Sequence, residues 1–234
     1  MNWPWLQTRG TPLTPRQLER RGRLSSAPAL ADRPLAEQRL VVLDLETSGL
    51  NMRRDVVLSI GAVVIERGAI DFAQQFERTL NRPGQTVGPS VLIHGIAPSD
   101  LETGSEPAEA LLDFMAFVGD SPLLAFHAEF DRRMLRRALR HSLDYRLRHP
   151  FLDVAQLAPM LCPDVRTGKG TLDDWARHFR LQVSQRHHAS ADAMVTAEIA
   201  LILFSRARRQ GADSLTSLAR RLETWRRRER GGLI

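Results

Sequence analysis

The hydrophobic and polar positions along the chain first predict three strands. Residues 40–46 are rich in branched apolar side chains and end at the turn residues Thr47-Ser48-Gly49, a pattern typical of a buried strand. Apolar runs predict two further strands at 56–66 and 69–80. Because only Arg67-Gly68 connects these two strands, we expect them to pair as an antiparallel hairpin.

Farther along the chain, apolar residues recur mainly with helical spacing. The predicted helices are 107–118, 129–140, 154–161, 172–179, 190–208 and 214–228, and a short apolar strand is predicted at 122–126. Strands that are followed by alternating helices and strands are typical of a mixed sheet covered by helices on both faces. The expected fold class is therefore α/β.

Proline content and charge divide the chain into three parts. Residues 1–38 contain five prolines and no sustained apolar period apart from a short predicted helix at 15–24, so we expect a partly flexible N-terminal extension. Two interpretations of Trp3 and Trp5 are open. They dock on the domain or on a partner, or they belong to a flexible tail. Residues 39–209 form the main predicted domain, and 210–234 form an arginine-rich C-terminal helix or tail.

The amino-acid composition limits the class of binding partner and the cellular compartment that we expect for this chain. The 234 residues include 33 Lys and Arg against 27 Asp and Glu, a net charge of +6, and Lys169 is the only lysine. A polyanionic partner and a genomic bias toward arginine both explain this excess. Cys162 is the only cysteine, no run of eighteen apolar residues occurs, and the N-terminus lacks a secretory pattern. We therefore expect a cytoplasmic protein with no disulfide and no membrane span.

Two acids at the end of the first strand are the first candidate functional residues. Side chains alternate along a strand, so Asp44 and Glu46 share the face of Val42. Neighbouring carboxylates on an apolar strand repel each other and resist the loss of solvent. A divalent cation with oxygen ligands, such as Mg²⁺, would relieve the repulsion, whereas a strand end in solvent would leave both acids hydrated. This pair alone leaves both interpretations open.

Two further acids lie near predicted helix starts. Asp131 shares the apolar stripe of its helix with Leu135, and Asp192 shares that of its helix with Val195. Each acid therefore faces the core. An ordinary acid at a helix N-terminus explains one such residue, but two of them on helices able to pack against the first strand favour a shared site.

Two adjacent histidines supply a candidate base. His187 lies five residues before Asp192, and His188 lies four residues before it. The ordinary pKa of histidine suits a general base near neutral pH. The spacing alone does not choose between the two.

Three segments of the chain together resemble the motifs of a known enzyme family. They are VLDLETSGL at 42–50, FHAEFD at 126–131 and HHASADA at 187–193. In this order they are similar to the three motifs of the DEDDh 3′–5′ exonucleases, a family that includes the epsilon proofreading subunit of bacterial DNA polymerase III. Residues 93–96 and 151–158 also resemble family segments, so the resemblance extends over about 39–205.

The resemblance implies a ribonuclease H-like fold with a mixed five-stranded sheet. It also implies two divalent cations, Mg²⁺ or Mn²⁺. Asp44 would bridge both cations. Glu46 and Asp192 would hold the cation that carries the attacking water, and Asp131 would support the second cation.

A base and a set of substrate contacts are also implied by the resemblance. His187, rather than His188, matches the base of the family pattern. The implied substrate-binding residues are Thr47, Leu50, His94 and Phe130. For the first two, an ordinary surface turn is the alternative.

The function implied by the resemblance is release of nucleoside 5′-monophosphates from single-stranded or frayed DNA 3′ ends, in proofreading or repair. RNA is the alternative substrate, because no motif reads the 2′-hydroxyl, and a non-catalytic nucleic-acid-binding protein is an alternative of another class. A polymerase partner stays open, but no clamp-binding peptide is recognised after Asp192, which favours a stand-alone enzyme. Phe126-His127 replaces the more usual His-Asn, which puts the local hydrogen bonding in question.

Overall fold

Five strands form the central sheet of the computed structural model, which describes residues 12–84, 94–183 and 186–231. They are β1 (Leu40–Thr47), β2 (Val57–Glu66), β3 (Ala69–Thr79), β4 (Leu123–Ala125) and β5 (Phe151–Asp153). The sheet order is β3-β2-β1-β4-β5, with β2 antiparallel to both β1 and β3, and with β4 and β5 parallel to β1. The predicted hairpin and the predicted mixed five-stranded sheet are confirmed.

Helices cover the sheet. In the described residues they are α1 (Pro15–Gly22), α2 (Pro98–Thr103), α3 (Pro107–Val118), α4 (Ala128–Leu143), α5 (Val154–Leu161), α6 (Leu172–Phe179), α7 (Ala189–Arg209) and α8 (Leu215–Gly231), with a 3₁₀ helix at Leu35–Glu37. The sequence does not predict α2 or β5, since elements of six and three residues are too short to show a period. None of the helices described here combines the length and the apolar run that crossing a membrane requires.

The strand β1 separates two apolar clusters. Val41 and Leu43 face one cluster, which the sheet forms with α3 and α4. Val42 faces the other cluster, formed with α5, α6, α7 and α8. Because side chains alternate along a strand, Asp44 and Glu46 follow Val42 on this second face, as predicted. The end of β1 therefore carries carboxylates toward the side of the sheet on which α7 packs.

A glycine on β2 lets α7 approach the sheet closely. Gly61 pairs with Asp44 across the β1–β2 ladder. A Cβ atom at Gly61 would come within 2.1 Å of the backbone of Ala189 and Ser190, the first residues of α7. Any side chain larger than hydrogen would push this helix away. Gly61 thus sets the distance between the start of α7 and the end of β1.

The N-terminal segment packs on the main domain from α1 onward. Gln17 Nε2 donates to Glu109 Oε1 of α3 at 2.9 Å, and Arg20 forms ion pairs with Glu109 and Asp113. Leu35 of the 3₁₀ helix is buried in the same cluster as Val42. Residues 12–38 therefore contribute contacts to both faces of the sheet.

The C-terminal helix α8 packs on the opposite face from α1. Its Leu215, Leu218 and Leu222 are buried in the cluster formed with α5, α6 and α7. The domain boundaries at residues 38 and 209 stay predictions. Trp3 and Trp5, which the sequence singles out, lie outside the described residues.

Candidate active site

Three carboxylates meet at the end of β1. Asp44 and Glu46 come from the strand itself, and Asp192 comes from the first turn of α7. One carboxylate oxygen of each lies within 4.8 Å of the corresponding oxygens of the other two. Because Gly61 lets α7 start directly against the sheet, an acid in its first turn reaches the two strand acids. The structure thus brings together three of the four predicted metal-binding acids in one cluster.

The fourth acid, Asp131, approaches from α4. It lies in the first turn of that helix and is only 3% exposed. The backbone N–H groups of Asp131 itself and of Leu45 on β1 lower the pKa of its carboxyl, against the effect of burial. Asp131 therefore faces the core, as its helical spacing predicts, and lies beside the strand that carries the first two acids.

Burial and mutual repulsion raise the pKa values of these acids. Burial raises the pKa of Asp44 well above its usual range, and the charges of Asp131, Asp192 and Glu46 raise it further. Burial, then the charge of Asp192, raises the pKa of Glu46 to about 7. Burial and the neighbouring Asp153 raise the pKa of Asp131 to about 8. The site holds more negative charge than its own side chains neutralise.

These residues fit a divalent cation. Carboxylate oxygens are the ligands that Mg²⁺ and Mn²⁺ prefer, and three of them already converge within 4.8 Å. The raised pKa values of Asp44 and Glu46 mark a place where positive charge would be stabilised. Asp44, Glu46 and Asp192 are therefore the residues that could hold a cation, with Asp131 beside them.

A cavity of about 630 Å³ opens over the acids. Every site residue predicted from the sequence lines it: Asp44, Glu46, Thr47, Leu50, His94, Phe130, Asp131, His187 and Asp192. They come from β1, the turn after it, the segment before α2, α4 and the start of α7. The structure therefore gathers in one place residues that span about 150 positions of sequence.

The two candidate bases have different surroundings. His187 lines the cavity, and its backbone N–H donates to Asp192 Oδ2 at 3.3 Å. His188 does not line this cavity, and its Nε2 lies 3.1 Å from Glu77 Oε1 of β3. The backbone of His187 is left-handed, with φ of +63°, and this turn of the chain just before α7 gives the two adjacent histidines different surroundings.

Comparison with known proteins identifies the family. The family model of the RNase T exonucleases matches residues 41–200, which include all the acids described above. The chain belongs to this exonuclease family. The DEDDh 3′–5′ exonuclease resemblance of the three motifs is thereby confirmed.

The relatives of this exonuclease include a DNA polymerase III of PolC type and a DNA polymerase III subunit epsilon. The PolC-type DNA polymerase III of Oceanobacillus iheyensis is 31% identical over 167 residues, which are 71% of this chain but only 11% of that protein. The DNA polymerase III subunit epsilon of Aquifex aeolicus is 29% identical over 166 residues, 70% of this chain and 80% of that protein. The chain therefore spans only about a tenth of the length of the PolC-type relative.

Among solved structures, E. coli exonuclease I in complex with a dT13 oligonucleotide superposes with a TM-score of 0.62. The sequence identity is 17%, and the match covers 74% of this chain and 42% of that one. At this identity the likeness concerns the fold, and it confirms the ribonuclease H-like architecture expected from the sequence.

The predicted substrate contacts of the exonuclease lie around the cavity mouth. Thr47 is buried and donates its Oγ1 hydrogen to Gly49 O at 2.8 Å, whereas Leu50 is 84% exposed. His94 is buried, and its Nδ1 accepts from Ile96 N–H at 3.1 Å. The Nε2 atom of His94 is buried without a protein partner in the described residues, which leaves it free for a ligand in the cavity.

Sequence reasoning missed one cavity residue with a strong charge. Arg186 lines the cavity and forms ion pairs with Asp192 and with Asp173 of α6, the latter at 2.5 Å. Its charge opposes the rise in the pKa values of Asp44 and Glu46. The available signal was its position directly before His187, in a motif whose other charged groups are acidic.

The departure from the exonuclease pattern at Phe126-His127 leaves the nearby acid in place. His127 precedes α4 with a left-handed backbone, φ +62°, and its ring packs edge-on against Phe126 at 4.9 Å between centroids. No side-chain hydrogen bond from His127 caps the helix. Asp131 still lies in the first turn of α4 and lines the cavity together with His127, so the departure from the pattern alters the cavity wall beside a retained acid.

Proposed function

We propose that this chain is a 3′–5′ exonuclease that releases nucleoside 5′-monophosphates from single-stranded or frayed DNA 3′ ends, as in proofreading or repair. The observation that carries the proposal is the convergence of Asp44, Glu46 and Asp192 beside His187 in one open cavity. Four acids without cations would repel a phosphodiester, and a bound cation would reverse that repulsion. The proposed cofactors are two divalent cations, Mg²⁺ or Mn²⁺.

The proposed chemistry is hydrolysis of the terminal phosphodiester. When bound, the two cations would supply a more acidic water and stabilisation of the charge that develops on the phosphate. Asp44, Glu46 and Asp192 would hold them, with Asp131 supporting the second. Metal removal by EDTA should therefore abolish cleavage, and Mg²⁺ or Mn²⁺ should restore it.

His187 is the proposed general base. It would take a proton from the attacking water while a new oxygen–phosphorus bond forms. At the same time, the bond from phosphorus to the 3′ oxygen of the preceding nucleotide would break. That 3′ oxygen takes up a proton, and a 5′-monophosphate leaves. Two observations support this role: His187 lines the same cavity as the acids, and its backbone N–H donates to Asp192.

The remaining cavity residues are proposed to hold the terminal nucleotide. The exposed Leu50 and the half-buried Phe130 offer apolar surface to a base, and Thr47 offers polar atoms at the same turn. The unpartnered Nε2 of His94 is a candidate contact for a phosphate or sugar oxygen. These groups bind any strand end, because none of them is specific for one base.

DNA is the proposed substrate because the PolC-type and epsilon relatives are named as DNA polymerase components, and exonuclease I is seen with dT13. The test compares 5′-labelled DNA and RNA oligonucleotides of identical sequence with Mg²⁺ and with Mn²⁺. We expect stepwise shortening from the 3′ end and faster cleavage of DNA. Faster cleavage of RNA would make RNA the proposed substrate in place of DNA. No cleavage with either metal would overturn the proposed exonuclease activity.

The two histidines give a matched pair of variants for the same assay. His187→Ala should lower the cleavage rate by about 100-fold or more, because a positioned base contributes on the order of 100- to 10,000-fold. His188→Ala should change it by less than about threefold, since that ring pairs with Glu77 instead of lining the cavity. If His188→Ala lowered the rate more than His187→Ala, His188 would be the general base instead of His187.

A further inference from the structure

A second concave surface lies on the C-terminal helix. Side chains of α8 and Met160 of α5 form a groove of about 370 Å³, which we call the arginine groove. Its lining residues on α8 are Arg220, Arg221, Thr224, Trp225 and Arg228. Residues 221, 224, 225 and 228 are spaced three and four apart, so they form one continuous stripe of the helix.

The arginines of this groove lack acidic partners. Arg221 donates to the backbone and side-chain oxygens of Gln210, which are neutral. Arg220 and Arg228 are exposed, and within the described residues their guanidinium groups have neither an ion pair nor a hydrogen bond. No described acidic side chain lines the groove. Three uncompensated positive charges on one surface attract an anion with several charges.

The groove also contains an aromatic ring. Trp225 is half-buried, packs against the core cluster below α8 and also lines the groove. Arginines around a partly exposed aromatic ring are the combination that holds single-stranded nucleic acid, since guanidinium groups pair with phosphates and a ring stacks on a base.

Hydrogen bonds connect α8 with Asp153, which lies at the end of β5 near the candidate active site. Arg226 Nε donates to Gln156 Oε1 at 2.5 Å, and Gln156 Nε2 donates to Asp153 Oδ2 at 3.2 Å. Burial raises the pKa of Asp153, and the charges of His127 and Arg226 both oppose that rise. The charge of Asp153 in turn raises the pKa of Asp131, so α8 is linked to the acid cluster through Gln156 and Asp153.

We propose that the arginine groove is a second binding site for the nucleic-acid strand, which holds phosphates and a base on the 5′ side of the nucleotide that is cleaved. This inference rests on the proposed exonuclease function. Single-stranded nucleic acid is the proposed occupant because its charge complements the unpaired arginines, its bases suit Trp225, and its 3′ end would occupy the active-site cavity of the same chain.

The test uses the full-length protein with two double variants of equal charge. Arg220→Gln/Arg228→Gln removes two arginines from the groove. Arg16→Gln/Arg67→Gln removes two exposed arginines on α1 and on the β2–β3 turn, neither of which has an ion pair in the described residues. Anisotropy of a 5′-fluorescein DNA strand of roughly 20 nucleotides, measured in EDTA, reports strand binding without cleavage.

We expect the groove variant to bind the strand about tenfold more weakly and with a salt slope lower by about 1 to 2, and the control to change by less than about twofold. Trp225→Leu should also weaken binding, and its thermal midpoint reports whether the fold is kept. Equal losses in the two double variants, or no loss in the groove variant, would overturn the proposal. No loss is also the result expected if the groove binds an acidic protein instead.

A small substrate separates this proposal from the proposed activity. The p-nitrophenyl ester of thymidine 5′-monophosphate would occupy only the active-site cavity, whose described lining includes no residue of α8. The wild type and the groove variant should hydrolyse it at equal rates with Mn²⁺. If the wild type does not hydrolyse this ester or shorten strands, the exonuclease proposal fails, while a selective loss of strand binding would still establish the groove as a nucleic-acid site.

Discussion

The end of β1 and the exposed face of α8 both concentrate like charges, but in opposite physical settings. At the end of β1, carboxylates are buried together, and burial raises the pKa values of Asp44, Glu46 and Asp131. Along α8, arginines such as Arg220 and Arg228 are exposed, and water screens their repulsion. The buried cluster needs a bound cation at a fixed place, whereas the exposed cluster only favours an anionic partner.

This difference explains why net charge is a poor guide to the site. The chain carries +6, yet its candidate active site is acidic. Among the described residues that line the cavity, Arg186 is the only arginine or lysine. Most arginines therefore add to the net charge without reaching the carboxylates, where Arg186 alone of the described cavity-lining residues opposes their charge, and the position of each charge decides its effect. Substitutions in the two clusters should accordingly have very different consequences.

The largest expected effect comes from Asp44→Asn. It should lower the rate of strand cleavage by about 1,000-fold, because a central cation ligand is lost. In EDTA the same variant should be more stable than the wild type, since burial and three neighbouring acids destabilise the Asp44 carboxylate. Cleavage assays and thermal unfolding with and without Mg²⁺ measure both effects. A variant less stable than the wild type in EDTA would contradict the account of repulsion.

The next effect tests how the cluster is assembled. Gly61→Ala should lower cleavage by roughly 100-fold and destabilise the fold by about 2 kcal/mol, because the new Cβ collides with the backbone at the start of α7 and shifts Asp192. Gly22→Ala is the matched control, since apart from its chain neighbours and the backbone of its own helix no described atom lies within 4 Å of a Cβ at that position. Normal cleavage by Gly61→Ala would show that α7 tolerates displacement without loss of the site.

A smaller effect concerns pH. Folding raises the pKa of Glu46 to about 7 and that of Asp131 to about 8, so the folded state binds more protons than the unfolded state between about pH 4 and 8. The metal-free protein should therefore lose stability as pH rises through this window, by about 1 to 2 kcal/mol for Glu46 after allowance for its partial exposure. Thermal or urea unfolding in EDTA at pH 5 and pH 8 measures it.

The control for the pH effect is Asp131→Asn, in which one titrating acid is removed and the slope of stability against pH should decrease. Mg²⁺ at pH 8 should restore stability to the wild type, because the cation binds only the folded arrangement of acids. Stability that rises between pH 5 and pH 8 in EDTA would contradict the raised pKa values.

Local pattern was enough to predict much of the fold. The bounds of α3, α5 and α6 follow from apolar spacing, and the β2–β3 hairpin follows from its two-residue connection. By contrast, β5 has three residues and is defined by its pairing with β4, which no local period reveals. The same reason hides Gly61, whose role depends on the approach of a helix more than 120 positions later in the chain.

The candidate site shows a similar limit. The acids could be predicted because carboxylates on apolar faces conflict with their surroundings. The order of the three motifs then assigned the four acids to one site. Arg186 could not be predicted in this way, since an arginine is unremarkable in a chain with this many arginines. Its importance depends on a contact with Asp192, which becomes visible only when α7 is placed against β1.

The smallest expected effect follows from that contact. Arg186 pairs with Asp192, so a cation that binds the three acids must displace or weaken this ion pair. Arg186→Gln should therefore raise the affinity for Mn²⁺ in the absence of DNA by about fivefold, the equivalent of about 1 kcal/mol. Arg177→Gln, which breaks an exposed pair with Asp174, is the control and should leave the affinity unchanged. Calorimetric titration with Mn²⁺ measures both variants. An unchanged or weaker affinity in Arg186→Gln would mean that the guanidinium does not compete with the cation for Asp192, and the carboxylate cluster would then be neutralised by the cation alone.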